Sequence, residues 1–202
     1  MKKSILLVIT LAIPVSVFLF LKFFGTNTFE VRYLFDEGIP NCPNSSSPHK
    51  VPNFEYIGET GKQFNSNQLE GFLIYGVLDA SETEQNKKLI VELVRIQDAF
   101  FEIGSPYFLI FINGNSNQRR EMESLCSEMG LAQKSSCIAY LEHRQLSDFL
   151  KCGIALIDEN SDGFSNLVLA DPQKRIRGIY NGLDIEQTDQ LILELKILKE
   201  QL

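Results

Sequence analysis

The feature that most constrains the fold is a pair of uncharged apolar runs, residues 72–78 (FLIYGVL) and residues 107–112 (YFLIFI). Runs of this length, rich in aliphatic and aromatic residues, are typical of strands that are buried on both faces. The segment between them repeats apolar residues at helical spacing, at Leu89, Ile90, Leu93, Val94, Phe100 and Phe101. Alternating strands and amphipathic helices predict an α/β sheet covered on both faces.

Several local signals predict where the helices begin and end. Ser81 and Glu84 match the Ser-x-x-Glu capping box and predict the start of the first long helix. Asn115 and Ser116 are candidate caps of a second, charged helix, which Gly130 closes. The other expected elements are a strand near residues 54–56, a strand at 137–141, a helix at 145–151, a hairpin of 166–170 and 176–180, and a helix at 185–201.

The N-terminal segment, residues 1–24, is expected to be a transmembrane anchor. Lys2 and Lys3 precede an uncharged run from Ser4 to Leu21, which is close to the minimum length for crossing the hydrocarbon core. The basic start favours a cytoplasmic N-terminus, so the remainder would face the periplasm as a single-pass protein of the inner membrane. The alternative is a cleaved signal peptide, which would normally end in small residues.

The expected domain organisation follows from composition after the anchor. Residues 25–50 contain three prolines and a Ser-Ser-Ser-Pro stretch, which predicts a tether. Residues 51–202 form the α/β domain. The formal net charge of −7 argues against nucleic-acid binding, because phosphate recognition needs clustered basic residues.

Two segments carry a resemblance to a known family. The first, residues 48–76, is PHKVPNFEYIGETGKQFNSNQLEGFLIYG, with its distinctive positions at Pro52, Phe54, Gly61, Leu69 and Gly71. The second, residues 167–182, is LVLADPQKRIRGIYNG before a terminal helix. Together they resemble the opening and the closing hairpin of the Sco/SenC family, thioredoxin-fold copper chaperones of cytochrome oxidase assembly. The resemblance implies a thioredoxin-like central sheet with flanking helices.

The chain departs from this family at the positions that carry its chemistry. Counted forward from Gly71, the resemblance places the Cys-x-x-x-Cys pair at Thr83 and Lys87. Counted back from residues 96–100 (IQDAF), it places the pair at Glu82 and Asn86. It places the distal copper-binding histidine near Gly163. None of these residues is a cysteine or a histidine. The sequence therefore predicts a degenerate member without a bound cofactor.

The residue types near the first helix explain why this loss matters. A thiolate at a helix N-terminus is stabilised by the helix dipole and is thereby prepared for disulfide exchange or Cu(I) binding. Asp79, Glu82 and Glu84 suit the same dipole, yet a carboxylate cannot exchange disulfides. A replacement site for a hard metal is one interpretation, and an ordinary acidic helix start is the favoured one.

The four cysteines are Cys42, Cys126, Cys137 and Cys152, and none forms a redox-type spacing. Outside the cytoplasm an even number permits structural disulfides, and Cys137 with Cys152 is the first candidate pair. The alternative is a copper or thiol-redox site made of displaced ligands, Cys137, Cys152 and His143. Peroxidase chemistry would require a cysteine at the start of the first long helix, where there is none.

These observations favour a membrane-anchored protein that binds other proteins rather than catalysing a reaction. The resemblance implies a partner in an envelope or respiratory complex, during cytochrome oxidase biogenesis. The charged helix has Arg119 and Glu123 at i,i+4 spacing, which predicts a solvated face and leaves a partner surface there as the alternative.

Overall fold

The computed structural model describes residues 12–20, 22, 30–43, 45–58, 61–100, 104, 106–131, 136–156 and 164–201, with the backbone alone at 136 and 137. The chain divides into two compact units, Met1–Glu30 and Val31–Leu202. In the first unit, residues 12–20 are helical and expose large apolar side chains such as Phe18 and Phe20. Most of the predicted anchor lies outside the described residues. Within the described ones, no helix has the length and apolarity that a membrane crossing needs.

The second unit is built on one seven-stranded sheet. Its strands are β1 (Glu55–Gly58), β2 (Gln63–Asn65), β3 (Leu73–Asp79), β4 (Tyr107–Asn113), β5 (Ser136–Tyr140), β6 (Asn166–Ala170) and β7 (Ile176–Asn181). Their order across the sheet is β2-β1-β5-β4-β3-β6-β7. The three central strands β5, β4 and β3 are parallel, and antiparallel strands flank them on both sides.

The described residues of this unit form four α-helices: α1 (Thr83–Ala99), α2 (Ser116–Glu128), α3 (His143–Asp148) and α4 (Ile185–Glu200). A π-helical turn, Phe149–Gly153, continues α3. The α/β architecture with flanking helices is therefore as predicted. The short edge strand β2 was not predicted, since its three residues are mostly polar and make no alternating apolar pattern.

Alternation along β3 and β4 separates the core into two clusters. Ile74 and Leu78 point to the face that is covered by α1, α2 and α4, whereas Tyr75 and Val77 point to the opposite face. That second face is covered by α3, by the π-helical turn with Phe149, and by part of the segment that precedes β1. Burial raises the pKa of the Tyr75 hydroxyl, as expected for a phenol inside this cluster.

The two helix caps predicted from sequence have different outcomes. Asn115 caps the start of α2, as predicted, and it also forms a complete capping box with Gln118. The box expected from Ser81 and Glu84 is wrong, because α1 begins at Thr83 and the Ser81 hydroxyl is directed elsewhere.

The segment of residues 31–51, here called the strap, is packed against the domain. Most of it was predicted to be a tether, yet Val31, Ile39 and His49 are buried. The Leu34 amide donates to the carbonyl of Ile176 at the start of β7, at 2.9 Å. The compact unit therefore begins at Val31 rather than at residue 51, because Val31 joins the first core cluster while Leu34, Phe35 and Val51 pack in the second.

The strap packs against a buried ion pair that lies within the β6–β7 hairpin. Arg177 Nη1 lies 3.2 Å from Asp171 Oδ2, with side-chain exposures of 6% and 3%. Asp171 also accepts backbone hydrogen bonds from Gln173 and Arg175, which close the turn. The Tyr33 ring of the strap lies against both guanidinium groups, 3.5 Å from Arg175 Cζ and 3.9 Å from Arg177 Cζ. The hairpin turn is thus the site at which the strap is held.

A disulfide fixes the other end of the strap. It joins Cys42 to Cys152 in the π-helical turn, with 5.6 Å between the Cα atoms. The predicted pair Cys137–Cys152 is therefore wrong. The physical reason is that the strap folds back over the second core cluster, where His49 Nε2 donates to the Gly153 carbonyl at 2.8 Å. This contact brings Cys42 next to Cys152.

We predict that the double variant Cys42→Ser/Cys152→Ser lowers the free energy of unfolding by about 4 kcal/mol. The reason is that the bond closes a loop of 110 residues and so restricts the unfolded chain. Urea denaturation with and without dithiothreitol measures the effect. The wild type should respond to the reductant, and the double variant should not. A response that is abolished by Cys137→Ser instead would contradict this pairing.

Candidate functional site

The candidate site lies at the carboxyl ends of the central parallel strands. The register places Asp79, the last residue of β3, opposite Asn113, the last residue of β4. Asn113 Nδ2 donates to Asp79 Oδ2 at 3.3 Å, and the Ala80 amide donates to the Asn113 carbonyl at 2.9 Å. Open α/β sheets bind ligands in the crevice at this edge, so it is the natural place for chemistry.

The turn from β3 into α1 is held together by Asp79. Its carboxylate oxygen Oδ1 accepts from both the amide and the hydroxyl of Ser81, at 2.9 and 2.7 Å. Its carbonyl accepts from the Glu82 amide at 2.9 Å and from Asn86 Nδ2 at 2.6 Å. Ser81 does not cap α1, because the turn closed on Asp79 places Glu82 at the N-cap position and the helix begins only at Thr83.

The four positions where the resemblance places cysteines lie at the start of α1. Glu82 is the N-cap residue, is exposed and makes no side-chain capping bond. Thr83 is the first helical residue and is exposed, whereas Asn86 is 3% exposed and faces the turn. Lys87 Nζ contacts Glu84 Oε1 at 2.8 Å, and this hydrogen bond lowers the pKa of the Glu84 carboxyl.

The scaffold at this helix start would suit a thiol pair, although the side chains do not. Residues four apart in a helix are separated by about 6 Å along the axis, within the range that a disulfide or a shared metal requires. The four side chains offer a carboxylate, a hydroxyl, an amide and an ammonium group. None of these is a soft donor, so the residues present do not fit Cu(I).

The interpretation as a hard-metal site receives no support from the geometry. Both carboxylate oxygens of Asp79 already accept hydrogen bonds, and Glu84 is paired with Lys87. In the part of the chain that the structure describes, no three His, Cys, Asp or Glu side chains are grouped so that they could hold a metal ion.

A second feature at the same edge is a small cleft of about 80 Å³ that includes His143. Its lining is Asn113, His143, Leu146, Ser147, Leu150 and Phe164. The structure thus brings His143 to the edge where Asp79 and Asn113 lie. Gly163, where the resemblance places the distal histidine, lies outside the described residues.

The displaced-ligand set is not brought together among the residues described. Cys152 is bonded to Cys42, and the lining of the cleft around His143 includes no cysteine. The backbone of Cys137 pairs with Leu109 in the middle of β4.

Sequence reasoning missed the polar contacts that close this site. Asp79 was considered only as part of an acidic helix start, and Asn113 was not singled out. Both directly follow an apolar strand run, and the carboxyl ends of parallel strands meet at one edge of a sheet. That pattern was the available signal.

Comparison with protein-family models and with curated proteins gives no match for this chain. Comparison with solved structures does give matches at low sequence identity. BsSco, a member of the Sco family of cytochrome c oxidase assembly proteins in which a disulfide switch has been identified, matches with a TM-score of 0.57 and 13% identity. That match covers 75% of this chain and 94% of the BsSco chain.

A SCO1/SenC family lipoprotein from Bacillus anthracis matches with a TM-score of 0.58 and 12% identity, over 79% of this chain and 98% of the lipoprotein. The yeast mitochondrial 1-Cys peroxiredoxin matches with a TM-score of 0.56 and 12% identity, over 75% of each chain. At these identities the likeness concerns the fold. The chain has the thioredoxin-like α/β fold that the sequence predicted, and Sco/SenC proteins are among its structural neighbours.

We predict that Asn86→Ala lowers the free energy of unfolding by about 2 kcal/mol, because it removes a buried hydrogen bond to the β3–α1 turn. The matched control is Lys87→Ala in the next helical position, whose exposed ion pair is worth less than about 1 kcal/mol. Chemical denaturation of both variants tests this. Equal losses would show that the Asn86 bond does not stabilise the turn.

Proposed function

We propose that this chain is a membrane-anchored, extracytoplasmic protein of thioredoxin-like fold that acts as a non-catalytic binding or assembly factor. We further propose that it serves the biogenesis of a respiratory complex, cytochrome oxidase in particular. In this proposal residues 1–24 anchor the chain in the inner membrane, and the domain faces the periplasm.

The observation that carries the proposal is the state of the β3–α1 turn. At the positions where the resemblance predicts a reactive cysteine pair, the chain has Glu82, Thr83, Asn86 and Lys87. The turn and the helix around these residues are nevertheless formed. Asn86 donates a buried hydrogen bond to Asp79, so this position is used to hold the turn. A thioredoxin-like domain without a thiol here retains a folded surface for recognition and lacks the nucleophile for exchange.

Two observations support the proposed location. The Cys42–Cys152 disulfide is typical of proteins in oxidising compartments, because cytosolic thiols are kept reduced. One structural neighbour is a lipoprotein of the SCO1/SenC family. The proposed association with cytochrome oxidase assembly extends what is known of BsSco to this chain.

The alternative is a copper or thiol-redox protein that uses Cys137, Cys152 and His143. The observation in its favour is that Cys152 already belongs to a disulfide, which is one half of a thiol–disulfide couple. Peroxiredoxin neighbours fit this alternative at the level of fold.

We predict that the purified full-length chain neither catalyses the reduction of insulin disulfides nor binds one equivalent of Cu(I) with micromolar or tighter affinity. The reason is that the turn offers no thiolate. The variant Thr83→Cys/Lys87→Cys is the positive control, since it places two thiols four residues apart at the start of α1, where the helix dipole lowers a thiol pKa. This variant should gain measurable exchange activity.

Stoichiometric Cu(I) binding by the wild type would contradict the proposal and favour displaced ligands. In that case Cys152→Ser should abolish binding without unfolding the domain. Co-purification of terminal oxidase subunits with the tagged chain from solubilised membranes would support the proposed assembly role, and their absence would argue against it.

A further inference from the structure

A shallow groove of about 340 Å³ lies where the sheet extends beyond its helices. Its lining is Glu55, Tyr56, Ile57, Gln63, Arg119, Tyr140, Leu141, Glu142 and Gln145. The floor is formed by β1, β2 and β5, one wall by Arg119 of α2, and one end by the start of α3. The β1–β2 hairpin is at the edge of the sheet, so α2 leaves part of this face uncovered.

The floor of the groove has an apolar centre. Ile57 is 49% exposed although it belongs to a strand, and it lies directly opposite Tyr140 in the β1–β5 register. The guanidinium of Arg119 lies over the Tyr140 ring, 5.0 Å from its centroid, and the Tyr140 hydroxyl donates to Glu123. The ring is therefore fixed in place, and Ile57 beside it presents a fixed apolar surface.

The charge beside this centre is negative. Glu55 lies two residues before Ile57 on β1, and Glu142 lies two residues after Tyr140, the partner of Ile57 on β5. Both glutamates are exposed and line the same groove. Glu55 Oε2 accepts a hydrogen bond from Gln63 Nε2 at 2.7 Å, which leaves its negative charge in place. Two carboxylates in one groove favour a cation between them. The lining also includes the cation Arg119, whose guanidinium lies over the Tyr140 ring.

We propose that this groove is a docking site for an extended basic segment of a partner protein. A Lys or Arg side chain of that segment lies between Glu55 and Glu142, and an apolar side chain two residues away covers Ile57. The spacing follows from β1 itself, where Glu55 and Ile57 are two residues, or about 7 Å, apart and point to the same face. An extended segment has the same spacing, so its basic side chain can lie against the carboxylates while its apolar side chain covers Ile57.

This inference rests on the proposed role as a binding protein and names the surface and the partner chemistry for it. The probe is a fluorescein-labelled peptide, Ser-Gly-Thr-Lys-Thr-Val-Thr-Gly-Ser, with its basic and apolar residues two positions apart. Its binding to the full-length chain in a zwitterionic detergent is followed by fluorescence anisotropy at low salt.

The expected affinity depends on the sign of the peptide's charge and on the spacing between its charged and apolar residues. A peptide with Glu in place of Lys should bind at least about tenfold more weakly, because like charges would then face each other. A peptide with Lys and Val adjacent should also bind more weakly, since the two side chains of an extended segment then point to opposite faces. Raising the salt concentration should weaken binding of the first peptide.

Variants of the chain locate the site. Glu55→Gln and Glu142→Gln should each weaken binding of the Lys peptide about three- to tenfold. Ile57→Thr, which keeps a β-branched residue in the strand, should also weaken it. The matched controls are Glu186→Gln and Leu193→Thr on α4, whose side chains are exposed on another element. They should leave the affinity unchanged, and circular dichroism checks that each variant is folded.

Three results would overturn the proposal: equal binding of the Lys and Glu peptides, an equal effect of the α4 controls, or self-association that Glu55→Gln abolishes. The last would make the groove an interface between copies of this chain. The peptide contains no thiol and the assay no copper, so failure of binding leaves the non-catalytic assignment standing. Conversely, thiol exchange by the wild type would refute that assignment without changing the peptide result.

Discussion

The parallel pairing of β3 with β4 is the constraint on which the rest of the second unit depends. Seven residue pairs fix its register, from Leu73 with Tyr107 to Asp79 with Asn113. Because side chains alternate along each strand, this register directs them into two separate core clusters. It also places Asp79 and Asn113 side by side where the strands end. The turn into α1 then closes on Asp79. A shift by one residue would bring the core side chains of one strand to the wrong face and separate these polar contacts.

The central strands and the long helices could be predicted because their signals are local. Runs such as 72–78 and 107–112 are recognisable within seven residues, and the Asn115 cap needs only its own neighbours. The predicted Ser81 cap is wrong for a local reason too, since the turn that closes on Asp79 puts Glu82 at the N-cap and begins the helix at Thr83. The strap could not be predicted in this way. Its apolar side chains lack periodicity, and its attachment points on the hairpin and the π-helical turn are distant in sequence.

At the candidate site, the sequence predicts which positions correspond to a reactive pair but not the contacts that these residues make. Counting from the flanking motifs gave Glu82, Thr83, Asn86 and Lys87, yet it could not show that Asn86 is buried and bonded to Asp79. Replacing a side chain that is hydrogen-bonded into the turn lowers the stability of the fold. Asn86 therefore contributes to the scaffold of the turn, which is compatible with the proposed binding role.

The disulfide also affects the order in which the chain can reach its native state. Cys42 is synthesised first, and Cys126 and Cys137 both follow before Cys152, its native partner. A chain that is oxidised as its cysteines emerge would join Cys42 to one of the wrong thiols. The native bond therefore requires either that the sheet forms before oxidation or that an early bond is exchanged later. Burial of Cys126 in the first core cluster favours the first route, because folding removes that competitor from solvent.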